Sequence, residues 1–143
     1  MNDTESFVVR PVASVEELAR TRQLISRQFP NRRSSSRDRA DFDTNRGLSV
    51  VAERDGTIVG GVLATCTDDA VKVEVIAVEP EFRRRGIGRQ LMESLEANAI
   101  RVGARVIYLG GAKAENRAFY WRLGFAGRRS LMQKALPGRL PAR

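Results

Sequence analysis

Histidine is missing from this chain, and cysteine occurs once, as Cys66. Without histidine there is no serine–histidine triad and no histidine-ligated zinc, and a single cysteine makes no internal disulfide. Acid or base chemistry must then fall to Tyr, Glu, Asp, Lys or water, and no metal site is expected. Cys66 closes an apolar stretch and reads as a packing residue rather than a nucleophile. Long apolar runs are missing too: the longest, residues 58–64, is far short of the ~20 residues that cross a membrane. The opening MNDTESFVVR carries acids and no apolar core, unlike a signal peptide. A cytoplasmic protein is expected, with no membrane partner.

Aromatics are few, at 6%, and acids are scarce where bases cluster. Arg20, Arg22, Arg27, Arg32, Arg33, Arg37 and Arg39 face only Asp38 over their span. Beyond Arg122 there is no acid at all, while Arg128, Arg129, Lys134, Arg139 and Arg143 continue the positive run. A net charge of +8 can attract RNA, DNA or acidic proteins. No aromatic side chains interleave with these arginines to stack bases, so a solvated basic surface is the favoured reading and a nucleic-acid partner the alternative.

What is present is organised around residues 72–103, KVEVIAVEPEFRRRGIGRQLMESLEANAIRVG. Val73, Val75 and Ala77 alternate with Lys72, Glu74, Ile76 and Val78, as in a strand with two unlike faces, and Pro80 stops it. Ile87, Leu91, Leu95, Ala99 and Val102 then recur at spacings of three and four, which predicts an amphipathic helix ended by Gly103. Between strand and helix lies Arg83-Arg84-Arg85-Gly86-Ile87-Gly88. A helix start offers unpaired N–H groups and a positive dipole end, two glycines let an anion approach them, and Arg83, Arg84, Arg85 and Arg89 add charge suited to a pyrophosphate. Leu91 stands where a dinucleotide fingerprint needs its third glycine, and no Gly-Lys-Ser/Thr follows, so neither common nucleotide loop is present.

Val78-Glu79-Pro80 followed by Arg83-x-x-Gly86-x-Gly88, and then Asn116, Ala118 and Tyr120-x-x-x-Gly124-Phe125, resembles the two signatures of the GNAT superfamily of acetyl-CoA-dependent N-acetyltransferases. The resemblance implies an α/β (α+β) fold with a mixed, mostly antiparallel central sheet flanked by helices, as one domain over residues 1–143. It implies acetyl-CoA as co-substrate, its pyrophosphate held by Arg83, Arg84, Arg85, Gly86, Ile87, Gly88 and Arg89. Its pantetheine arm would lie along Ile76, Ala77 and Val78, with a backbone N–H near Ile76 or Ala77 facing the thioester oxygen. It gives Tyr120 the place beside the thioester sulfur, where a phenol of pKa ~10 can donate to a thiolate. Asn116 is the matching cofactor contact, though closer to Tyr120 than the common pattern has it. Where some members keep a glutamate base this chain has Lys72; Glu74, two residues on, is the candidate base, with a surface salt bridge as the plain alternative. Asp38, Asp41 and Asp43 fall on the segment that the family uses for the acceptor, and solvated loop charge is the other reading.

The remaining elements fit that order. Residues 7–11 form a short strand; Ser14 caps a helix with Glu17 as capping-box partner and Val15, Leu18, Leu24, Ile25 and Phe29 as its apolar stripe, closed by Pro30. Residues 31–46 are polar, a short helix with loops or a poorly ordered stretch. Strands follow at 48–54 and 57–67 around an Asp55-Gly56 hairpin turn, with Gly60-Gly61 marking a bulge or a close approach. Residues 105–109 make a buried strand, Asn116 can cap a short helix ended by Gly124, and residues 131–136 make a last strand. The function expected is acetyl transfer to a primary amine of a small molecule or protein. The alternatives are acetylation of charged tRNA and a non-catalytic CoA-binding module, and the resemblance allows a homodimer through the C-terminal strands.

Overall fold

The computed structural model describes residues 7–30, 48–110, 114–128 and 131–137. Arg32, Arg33, Arg37, Arg39, Asp38, Asp41 and Asp43, Gly111, and Arg129, Arg139 and Arg143 lie outside the described residues. Among the described residues the element order is β1 (Val8–Pro11), α1 (Val15–Gln28), β2 (Val50–Arg54), β3 (Thr57–Thr67), β4 (Ala70–Val78), a 3-10 turn (Pro80–Phe82), α2 (Ile87–Arg101), β5 (Val106–Leu109), a second 3-10 turn (Ala114–Asn116), α3 (Arg117–Arg122), β6 (Ala126–Arg128) and β7 (Leu131–Ala135). The strands join in one sheet in the order β1-β2-β3-β4-β5-β7-β6. β4 and β5 run parallel, and every other neighbouring pair is antiparallel. The mixed, mostly antiparallel sheet is therefore the one expected.

Each face of the sheet has its own core. Leu91, Met92, Leu95 and Ala99 of α2 pack with Val50, Val62, Val73 and Ile107 on one face, joined by Tyr120 and Phe125. Leu18, Leu24 and Ile25 of α1 pack with Val51, Leu63 and Ala77 on the other. α1 is seated by Gly61, where an added Cβ would lie 2.5 Å from the Thr21 methyl, so the glycine pair does mark a close approach. The pairing of β2 with β3 also shifts register between Ala52 and Glu53, next to Gly60, where Val59 is the extra residue. No helix among the described residues is long and apolar enough to cross a membrane.

Local chemistry explains most of the element ends. Ser14 accepts from the Glu17 N–H at 3.1 Å, while the Glu17 carboxylate reaches one residue beyond the cap, accepting from the Ala13 N–H at 2.8 Å. Asp55 (φ 53) and Gly56 (φ 80) form the left-handed pair of a tight hairpin turn. Four expectations need correction. Val102 lies past the last helical residue and is 47% exposed. Asn116 precedes α3 without a side-chain capping bond, its backbone already helical. Phe29 lies past the end of α1 as its C-cap and is exposed, off the buried stripe. β6, three residues long, goes unannounced because it carries no apolar alternation.

The fourth correction concerns β4. Leu63 pairs with Val75 and Ala64 with Val73, so Glu74 is an extra residue bulged out of the ladder. A bulge turns every later side chain to the opposite face. Val71 and Val73 consequently belong to the α2 core, and Val75 and Ala77 to the α1 core, not to one continuous stripe.

Candidate functional site: a cleft where the sheet splits

Parallel pairing between β4 and β5 covers Ala70–Val106, Val71–Ile107 and Lys72–Tyr108, and there it stops. β4 runs on to Val78, past the Glu74 bulge, with no strand among the described residues beside it on that edge. The parting strands open a cleft of about 1480 Å³. Its walls are β4 from Val73 to Val78, the loop and first turns of α2, Asn116 just before α3, and Phe119 and Tyr120 of α3. Gln28 and Phe29, at the end of α1, line it from the other side of the sheet.

Strand alternation decides which backbone groups face the cleft. The Glu79 N–H donates to Val59 O at 2.8 Å and Ala77 pairs with Gly61, both toward β3. The N–H and C=O of Ile76 and Val78 therefore point the other way, along the open edge. Such an edge accepts an extended chain as an added strand. Of the two N–H positions expected to face a thioester oxygen, Ile76 has the free direction and Ala77 is committed to β3.

At the upper end of that edge α2 begins. Its N-cap, Gly86, is left-handed (φ 82), as is Arg84 two residues earlier (φ 66). An added Cβ at Gly86 would meet nothing within 4 Å, so backbone conformation rather than space calls for glycine there. At Gly88 a Cβ would rest 3.4 Å from the Phe119 ring. The first-turn amides of this 15-residue helix lack intrahelical partners, an arrangement that suits an anion.

The four arginines differ in what they hold. Arg83 donates from Nε to Val78 O at 3.0 Å and from Nη2 to Gln28 Oε1 at 2.7 Å. Arg85 donates to Glu81 O at 3.2 Å, with its guanidinium 5.4 Å from the Phe82 ring centre. Arg89 pairs with Glu93 at 3.0 Å. Arg84 is exposed, lines the cleft and has no bonding partner among the described residues.

Tyr120 is 7% exposed and lies edge-on to Phe119 and Phe125, with ring centres 5.0 and 5.9 Å away. Burial pushes its phenol above the ordinary 10, so it stays a proton donor. Glu74 borders the same cleft, accepting from Thr65 Oγ1 at 3.1 Å and lying 4.0 Å from the Lys72 ammonium. Asn116 is exposed on the cleft wall. Cys66 stands apart from the cleft lining, its thiol pushed up by burial and by Asp69 and Asp68. Gln28 and Phe29 as cleft residues, and Thr65 as the partner of Glu74, escape a sequence reading. A glutamine before the helix-ending Phe29-Pro30 carries no motif, and Thr65 meets Glu74 only through the register of β3 on β4.

Comparison with known proteins bears on the same elements. The family model described as Acetyltransferase (GNAT) family matches residues 18–125. An IAA acetyltransferase of Azospirillum brasilense is 37% identical over 83 residues, covering 55% of this chain and 54% of the relative. An amino-acid acetyltransferase of Azotobacter vinelandii is 26% identical over 107 residues, covering 73% of this chain and 25% of the relative. The chain thus spans about half and a quarter of the length of these curated relatives. Among solved structures, yncA of Salmonella typhimurium, a putative acetyltransferase with its cofactor acetyl-CoA, superposes with a TM-score of 0.75 at 19% identity, over 96% of this chain and 98% of that one. That likeness establishes the fold. The family match runs through β4, the Arg83–Gly88 loop and α3 to Phe125, the elements that enclose the cleft, and the chain belongs to the GNAT family of acetyltransferases.

Proposed function

We propose that this chain transfers an acetyl group from acetyl-CoA to a primary amine of a small molecule or protein, by direct attack with both substrates bound. The observation that carries the reading is the split of β4 from β5: an open strand edge leads straight to a helix N-terminus beside an arginine with no partner among the described residues. This suits a ligand with an amide-bearing arm and a pyrophosphate, which is the shape of coenzyme A. When bound, acetyl-CoA supplies an acetyl carbonyl activated as a thioester.

The residues then divide the work. Arg84 and the amides of Gly86, Ile87, Gly88 and Arg89 hold the pyrophosphate, while Ile76 and Val78 align the arm. The Ile76 N–H faces the carbonyl oxygen and stabilises the negative charge that develops there. A new N–C bond forms as the C–S bond breaks. Glu74, directly or through water, takes the proton from the amine, and Tyr120 gives one to the departing sulfur. Asn116, on the opposite wall, contacts the arm. The acceptor enters from the α1 side, past Phe29 and Glu74.

Release of free CoA thiol tests the reading. Acetyl-CoA is incubated with the protein and a panel of amines: free amino acids, a polyamine and a peptide with a free N-terminus. Amine-dependent thiol release with a mass increase of one acetyl group is expected for at least one class. Tight CoA binding with no amine-dependent release across the panel would contradict catalysis and favour a CoA-binding module.

A further inference from the structure

Arg83 opens the loop signature and lines the cleft, yet its guanidinium is engaged by α1 and β4. It donates to Val78 O (3.0 Å) and to the Gln28 side-chain oxygen (2.7 Å), and Gln28 Nε2 donates to the same Val78 O at 3.0 Å. Three groups from α1, β4 and the loop thus close one hydrogen-bonded ring. A second tie runs beside it, Arg27 to Glu79 at 3.0 Å. Both come from the last turn of α1, which ends at Gln28.

From this ring we infer that Arg83 is a strut rather than a phosphate ligand, and that Gln28 is a positioning residue for coenzyme A binding although it belongs to neither family signature. The inference rests on the proposed CoA site. Two further features give the ring its purpose. Arg84 is left-handed without being a glycine, so the loop carries an unfavourable backbone that its entry point must hold in place. Val78 O faces the open edge of β4, where it would otherwise be an unpaired acceptor; with two donors on it, the edge left for an incoming arm is the Val78 N–H and both groups of Ile76. The ring therefore fixes the loop and also sets where an added strand must end. Among the described residues Arg84 is the loop cation left without a bonding partner and free to meet phosphate.

Calorimetric binding of CoA to Gln28→Met, Arg83→Met, the double variant and Arg84→Met, each at low and high salt, tests this, with thermal unfolding of each unliganded protein as a second readout. A shared strut requires the first three to weaken CoA by a similar factor, roughly three- to tenfold, the double no worse than either single. Their fold-loss should stay nearly constant with salt, whereas the Arg84→Met loss should shrink as salt rises. The unliganded melting points should fall together for the Gln28 and Arg83 variants and not for Arg84→Met. An Arg83→Met loss far larger than that of Gln28→Met and fading with salt would make Arg83 a phosphate ligand and overturn the inference. Multiplying losses in the double variant would overturn it as well. Failure of the unaltered protein to bind CoA would instead remove the proposed function, and this inference with it.

Discussion

Tyr120 and Arg84 are the residues whose single-site chemistry is most exposed to test. Burial raises the Tyr120 pKa, so the donor form persists through neutral and mildly alkaline pH, and no descending limb below pH ~10 should come from it. Tyr120→Phe keeps the ring contacts with Phe119 and Phe125 and removes the proton. Turnover should fall roughly 100-fold with CoA affinity unchanged; equal loss of affinity and melting temperature would make the tyrosine a packing residue. Arg84 separates charge from backbone. Its left-handed φ of 66 disfavours any side chain, so Arg84→Gly should hold or raise stability by up to about 1 kcal/mol, yet weaken CoA. Unchanged CoA affinity in that variant would mean the loop cation is not used.

At the scale of elements, helix α1 is fastened by packing and by charge. The Arg10 guanidinium of β1 makes a two-pronged pair with Glu17 of α1, one contact at 2.8 Å, and reaches Glu53 of β2 at 2.5 Å. That pairing, with the Ala13 N–H, lowers the Glu17 carboxyl from 4.5 to about 2. A depressed pKa stabilises the fold fully above the unfolded value and is lost as pH falls toward the folded one. Melting temperature should therefore drop between pH 4.5 and 2, and Glu17→Gln should be less stable at pH 7 with a flatter acid limb. A wild-type limb as flat as that of the variant would show the staple to be inert. Gly61 tests the packing half: Gly61→Ala puts a Cβ 2.5 Å from the Thr21 methyl and should cost about 1–3 kcal/mol. Adding Thr21→Ser, which deletes that methyl, should restore much of it. These elements were largely legible beforehand, because Ser14, Asp55-Gly56, Gly103 and Gly124 punctuate the chain through local backbone chemistry. The Glu74 bulge was not: alternation of Val73, Val75 and Ala77 reads as one face until the pairing with β3 is known.

Across the whole molecule, sequence reading recovered the sheet class, the loop and the helix behind it, since both signatures sit on contiguous residues. It missed what depends on distant pieces meeting. The gap between β4 and β5 follows from a parallel pairing that ends at Lys72, and the Gln28–Arg83 ring joins residues 55 apart in the chain. The acceptor is the least legible part, since specificity resides on surfaces that fold class does not determine. The central claim, that the cleft is a coenzyme A site, is tested most directly by thermal unfolding with acetyl-CoA, CoA and ATP in parallel. At a hundredfold excess over the dissociation constant a ligand adds about 2.7 kcal/mol, roughly 5–10 °C for a chain of this size. A shift of that order with acetyl-CoA and CoA, and little with ATP, is the expected result. An unmoved transition at millimolar acetyl-CoA, or an equal shift with ATP, would contradict it.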